Sequence, residues 1–146
     1  MCFLKIFSST TSFKQVSALK DLPVYSLHDK GEIRKKRTGE VYKQNRVSLN
    51  VSEAEWDCFP QQVSDAVDFL TRFDDPLRKL LNSSDDIDAF LDFPIWSRLS
   101  SEIVNQNDHL PKELIKLCGS LGIGIEMALY SLDAFEDTNT GETQSG

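Results

Sequence analysis

No stretch of this chain approaches the roughly 20 consecutive apolar residues needed to span a bilayer. The N-terminal run CFLKIF is too short for the core of a secretory leader, holds a lysine, and is followed by no small-residue cleavage site. Cysteine is scarce as well. Cys2, Cys58 and Cys118 are odd in number and far apart, which suits a reducing compartment better than a disulfide framework. These absences predict a cytoplasmic protein that makes no membrane contact.

The usual catalytic signatures are also missing. There is no G-x-S-x-G, no P-loop, no G-x-G-x-x-G after a strand and no H-E-x-x-H. The nearest glycine pair, Gly122 and Gly124, runs into a strand and so presents no helix N-terminus to a phosphate. The two histidines, His28 and His109, fall in polar stretches with no Cys or His at ligand spacing, and read as surface residues. Asp74, Asp75, Asp85, Asp86, Asp88 and Asp92 fall within nineteen residues, but the glycine and terminal glutamate of a calcium loop are lacking. These carboxylates are expected to cap helices and fill turns. No catalytic residue, no metal and no cofactor is predicted.

What is present is an ordinary globular composition, 40% hydrophobic and 27% charged, in a chain long enough for one core without disulfides or metal. The charge is unevenly placed. Residues 1–50 hold 10 Lys/Arg against 4 Asp/Glu, a net of +6, and residues 51–146 hold 6 against 19, a net of −13.

The clearest pattern is LPKELIKLCGSLGIGIEMALYSL, residues 110–132. Leu110, Leu114, Leu117, Cys118 and Leu121 stack on one helix face, Pro111 sits at its start and Gly122 at its close. Beyond Ile123 the period drops to two, with Ile125, Met127 and Leu129 on one side of a strand. Earlier in the chain, Cys2–Phe7 reads as a central or well-covered strand. A short helix is expected over Phe13–Lys20, with Ser12 and Gln15 as its capping box and Phe13, Val16, Leu19 and Leu22 recurring every three residues. Pro23 ends it. Residues 24–44 are irregular apart from a short exposed strand near Glu32–Arg37 between turns at Lys30-Gly31 and Thr38-Gly39.

Arg46–Val51 alternates as a strand. A helix follows from Pro60, with a stripe of Val63, Ala66, Val67 and Leu70, and breaks at Asp74-Asp75-Pro76. Ile87–Phe93 is a further strand, with aspartates on a wet face and Pro94 closing it. The order predicts a single α+β domain over residues 1–132: a mainly antiparallel sheet of about five strands with about three helices, in ferredoxin-like split β-α-β units. An unstructured acidic tail is expected over 133–146.

Two segments carry a resemblance. Leu22, Pro23, Ser26, Lys30, Gly31 and Glu32 resemble the leucine, proline, serine and lysine-glycine-acid pattern of a bacterial family known only as a domain of unknown function. Residues 110–130 are similar to that family's closing helix, glycine and strand ending in tyrosine, here Tyr130. Val24 stands where the family commonly has threonine. The resemblance implies an α+β fold and a bacterial source, and brings no catalytic residues.

The function expected is that of a small acidic binding protein, an immunity protein that neutralises a cognate basic toxin by direct contact. Asp85, Asp86, Asp88, Phe90, Asp92 and Trp96 are its expected contacts, since aromatics anchor binding and charge steers approach. The alternative is an enzyme or small-ligand-binding regulator with a pocket holding His28, Asp57 or Cys58. Nucleic-acid contact through Arg34, Lys35, Lys36 and Arg37 ranks below both, because no aromatics interleave that block and the chain as a whole is acidic.

Overall fold

The computed structural model describes residues 1–135. Seven strands and three α-helices form along the chain: β1 (Cys2–Ser8), β2 (Val24–His28), β3 (Ile33–Lys35), β4 (Glu40–Val41), β5 (Asn45–Ser52), α1 (Phe59–Arg72), α2 (Asp74–Leu81), β6 (Asp88–Trp96), α3 (Lys112–Leu121) and β7 (Gly124–Tyr130). Five strands make one sheet in the order β2-β5-β1-β6-β7, and β3 and β4 make a separate two-stranded arm.

The α+β class stands, with five strands in the main sheet and three helices. The sheet, however, is mixed. The β2/β5, β5/β1 and β1/β6 pairs are antiparallel, whereas β6 and β7 are parallel. Parallel neighbours need a crossover rather than a tight turn, and residues 97–123 with α3 provide one. Two further crossovers interleave: β1 and β2 run the same way with β5 between them, and β5 and β6 run the same way with β1 between them. That puts β1 at the centre of the molecule.

The helices pack with one another over one face of the sheet. Leu4 and Ile6 of β1, Val47 and Leu49 of β5, and Leu91, Phe93 and Ile95 of β6 meet Leu70, Leu77, Leu80 and Leu114 in a continuous buried core. Each such side chain contributes about 1.5–3 kcal/mol when fully withdrawn from water. The hinge between α1 and α2 falls at Phe73, as the Asp74-Asp75-Pro76 run predicts. Pro76 lies in the first turn of α2, where its missing N–H has no helical partner to lose. Gly122 closes α3 in the left-handed conformation with φ 72°, and the Ile123 N–H returns to the Cys118 carbonyl at 2.8 Å.

Four local expectations are corrected. Residues 13–21 form two short 3-10 turns, Phe13–Gln15 and Ser17–Asp21, separated by an extended Val16. The repeat of three in Phe13, Val16, Leu19 and Leu22 is the 3-10 period, not the α period. Ser12 caps nothing there; its hydroxyl donates to Asp29 at 2.7 Å. The irregular 24–44 region contains β2, which pairs with β5 and forms one edge of the sheet.

Strand β6 runs through Pro94 to Trp96. Pairing with β1 ends at Phe3↔Asp92, so at Pro94 no β1 residue awaits a hydrogen bond from the missing N–H. Leu129, expected in the core, is 53% exposed, because β7 is the other edge strand and only Ile123, Ile125 and Met127 reach the packed interior. At the C-terminus residues 131–135 turn back toward the sheet, and the expectation of an unstructured tail otherwise falls on residues 136–146, outside the described residues.

Candidate functional site

Strand alternation sends every second side chain to the face the helices leave uncovered. On β1 these are Phe3, Lys5 and Phe7, each half-buried between fully buried neighbours. Register sets what lies beside them. Asn50, Phe3 and Asp92 form one row across β5, β1 and β6; Ser48, Lys5 and Phe90 the next; Arg46, Phe7 and Asp88 the third. The result is an open sheet face with an aromatic or cationic side chain at five of these nine positions.

The rings associate in pairs. Phe7 stacks on Phe90 with centroids 5.8 Å apart, and Phe3 lies 4.6 Å from Tyr25. At the β2 end of the face, Tyr42 from the arm stacks on His28 at 4.3 Å. The Arg46 guanidinium sits between the two groups, 5.3 Å from the Phe7 ring and 5.6 Å from Tyr42. At the far end, Trp56 stacks on Tyr130 at 4.7 Å and meets Trp96 at 5.0 Å, with Phe135 5.6 Å from Trp56. Two contacts fix the loop that carries Trp56. The Trp96 N–H donates to the Trp56 carbonyl at 3.2 Å, and the fully buried Gln62 amide donates to the carbonyls of Glu55 and Pro94 at 3.1 and 3.0 Å.

At the centre of the face, Lys5 Nζ donates to Asp92 at 2.6 Å. A concavity of about 620 Å³ opens above this pair, lined by Phe3, Tyr25, Arg46, Glu55, Trp56 and Tyr130 among others, which is within the range of ligand-binding clefts. A smaller one of about 230 Å³ lies between the sheet and the arm, beside Phe7, Arg34, Tyr42 and Arg46. On the arm, Glu40 accepts from Lys35 and lies within 3.4 Å of Arg34; the Lys35 hydrogen bond holds its carboxyl below the ordinary range.

The six expected contact residues divide. Asp88, Phe90, Asp92 and Trp96 share the open face, although Asp92 is engaged by Lys5. Asp86 is a structural tie instead. It accepts from Ser8 Oγ at 2.6 Å, the Ser9 N–H at 2.7 Å, Thr10 Oγ1 at 2.9 Å and Ser84 Oγ at 2.7 Å. Those donors, Ser8 first, drive its carboxyl far below the ordinary range. Asp85 is exposed in the turn before β6.

Of His28, Asp57 and Cys58, any one of which a pocket is expected to hold, the structure places only Asp57 in a concavity away from the open face. His28 belongs to the arm end, whereas Asp57 lines a third concavity of about 540 Å³ with Arg98, Asp108 and His109, and Cys58 is exposed. Cys118 is buried, and desolvation pushes its thiol up to about 11. Among the described residues no three His, Cys, Asp or Glu side chains come together in a way that could hold a metal ion, and no helix is long and apolar enough to cross a membrane.

Phe3, Lys5, Phe7, Tyr25 and Tyr42 are not singled out by sequence reasoning as surface residues, whereas Trp56 is expected to join Phe90 and Trp96 in an interface if exposed. The alternation Phe3-x-Lys5-x-Phe7 was the available signal. It reads as a strand covered on both sides because phenylalanine is as much at home in a core as on a binding face.

Compared with known proteins, the chain matches no family model, no curated protein and no solved structure.

Proposed function

We propose that this protein is a recognition module whose working surface is the open face of its sheet. One observation carries the reading: the central strand sets Phe3, Lys5 and Phe7 on a face that no helix among the described residues covers. An uncovered face with this many rings is an interaction surface by its chemistry, since large exposed aromatic patches mark binding sites in monomeric domains. In fold terms, β1, β2, β5 and β6 with their connections form a ferredoxin-like core. Its first helix is reduced to two 3-10 turns, and α3 and β7 extend it at one edge.

The reading rests on rings rather than carboxylates. A basic toxin, the partner expected from the acidic run, would draw on Asp85 and Asp88, because Asp86 and Asp92 already have partners within the chain. An immunity role is thus one narrower form of the proposal, leaning on two free carboxylates together with the rings of Phe90 and Trp96. The enzyme or regulator alternative would draw on Asp57, which lines a concavity with Arg98, Asp108 and His109, while His28 stands apart at the arm.

Site-specific photo-crosslinking tests the reading. Benzoylphenylalanine placed at Phe90, on the open face, should give adducts in extract of the source cells. The same probe at Lys79, exposed on α2, should give none. No adduct at Phe90, or equal yields at both positions, would remove the sheet face from the proposal.

A further inference from the structure

We propose that the open face and the β3–β4 arm together seat single-stranded nucleic acid, with bases stacked on the sheet and phosphates held by the arm. This rests on the reading of that face as the working surface and names its occupant.

Two ring pairs stand on the central strand as separate platforms. Phe7/Phe90 and Phe3/Tyr25 are four residues apart along β1, about 13 Å at the usual strand rise, with Lys5 between them. Every base has a π-face, so platforms of this kind take unstacked bases with little regard to sequence. A duplex keeps its bases stacked inside and offers nothing to them.

Charge supplies the second observation. Residues 30–46 hold seven Lys/Arg against two Glu, a net of +5, so the rest of the chain carries −7 − 5 = −12. The net charge outside the arm therefore disfavours a polyanion, and the arm is the segment that attracts one. Within the arm, Arg34 and Lys35 are occupied by Glu40, while Lys36, Arg37 and Lys43 make no ion pair among the described residues. Arg46 joins the two halves: its guanidinium lies against both Phe7 and Tyr42, where it reaches a phosphate and the edge of a stacked base together. Glu53 and Glu55 lie at the opposite end beside Trp56, and Asp88, in the row of Phe7 and Arg46, stands on the β6 side away from the arm, which sets the backbone on the arm side. The aromatics missing from the Arg34–Arg37 block in sequence are thus brought to it by the fold.

Fluorescence anisotropy with the full chain and labelled ten-nucleotide oligo-U, oligo-dT and a ten-base-pair duplex tests the proposal. Single strands should bind at least about tenfold more tightly than the duplex. With about three phosphates neutralised, affinity should fall about 20-fold between 50 and 200 mM salt.

Phe7→Leu keeps apolar volume and removes the ring. It should weaken binding about tenfold without changing the salt slope, with a melting curve confirming the fold. Lys36→Glu with Arg37→Glu should flatten the slope. No binding of either single strand at low salt, equal binding of the duplex, or an unaffected Phe7→Leu variant overturns the proposal. So does an oligo-glutamate peptide that binds as tightly as oligo-U, since the site would then be one for an acidic protein. In any of these cases protein adducts at Phe90 would leave the recognition reading standing; their absence would remove both.

Discussion

On the helix-covered side of β1 lie Cys2, Leu4, Ile6 and Ser8, all fully buried; on the other side of the same strand Phe3, Lys5 and Phe7 remain half exposed. The same contrast runs along β6, where Ala89, Leu91, Phe93 and Ile95 face the helices and Phe90, Asp92 and Trp96 do not. The covered side is mostly aliphatic, shaped to fill volume against Leu70, Leu77 and Leu114. The open side pairs flat rings with charged and hydroxyl groups. An aliphatic face of that size would invite irreversible association, whereas rings interleaved with Lys5 and Arg46 stay wettable and still offer large contact area. One strand can therefore serve stability and recognition at once, because alternation keeps the two sets of side chains from competing.

Substitution on the covered side should break the fold first. Leu91→Ala, at a fully buried position paired with Leu4, is expected to cost about 2–5 kcal/mol, read as a lower urea midpoint. Next in size is Gln62→Ala, which strips the buried carbonyls of Glu55 and Pro94 of their donor. It should cost about 2 kcal/mol and shift Trp56 emission to the red as its loop loosens. An unchanged emission spectrum would separate Gln62 from the aromatic end of the face. On the open side, Phe90→Leu should cost about 1 kcal/mol or less, the worth of a ring contact beyond its area. A loss as large as that of Leu91→Ala would mean that the two faces do not differ in kind.

The smallest effect concerns pH. Four hydroxyl and backbone donors depress the Asp86 carboxyl in the folded state, so its contribution is present above the unfolded value of about 4 and is lost as pH falls below it. Asp86→Asn should lower stability at neutral pH and reduce the further loss between about pH 5 and pH 2. Urea melts at both ends of that range measure it, and an unaltered pH dependence would show that the tie is not electrostatic.

Much of the scaffold was legible from periodicity, because α1 and α3 each bury one stripe and β5 carries Val47, Leu49 and Val51 at alternate positions. Less legible was anything set by neighbours far along the chain. Residues 124–130 signal a strand, but nothing local says that it lies parallel to β6. Pro94 reads as a stop, and only the register shows that β1 has ended before it matters. The open face was hidden for the same reason. Alternation reports that two sides differ, and coverage by helices decides which of them is surface. Side-chain carboxylates are read from sequence as free charges, whereas Asp86 and Asp92 are taken up by Ser8 and Lys5 about eighty residues away.

The arm is inserted between two strands whose register is already settled beneath it. His28 pairs with Arg46 and Leu27 with Val47, and the ladder continues outward through Gly31 N–H to the Tyr42 carbonyl and Tyr42 N–H to the Glu32 carbonyl, each 2.9 Å. Everything distal to Tyr42 can therefore be lengthened, shortened or exchanged without moving a core residue, and doubling such a loop costs only about 0.6 kcal/mol in closure entropy. The arm is in that sense a graft point: new sequences placed at residues 33–41 would hang over the same rings on the same rigid base, so partner choice can vary in evolution or in the laboratory while the fold stays as it is.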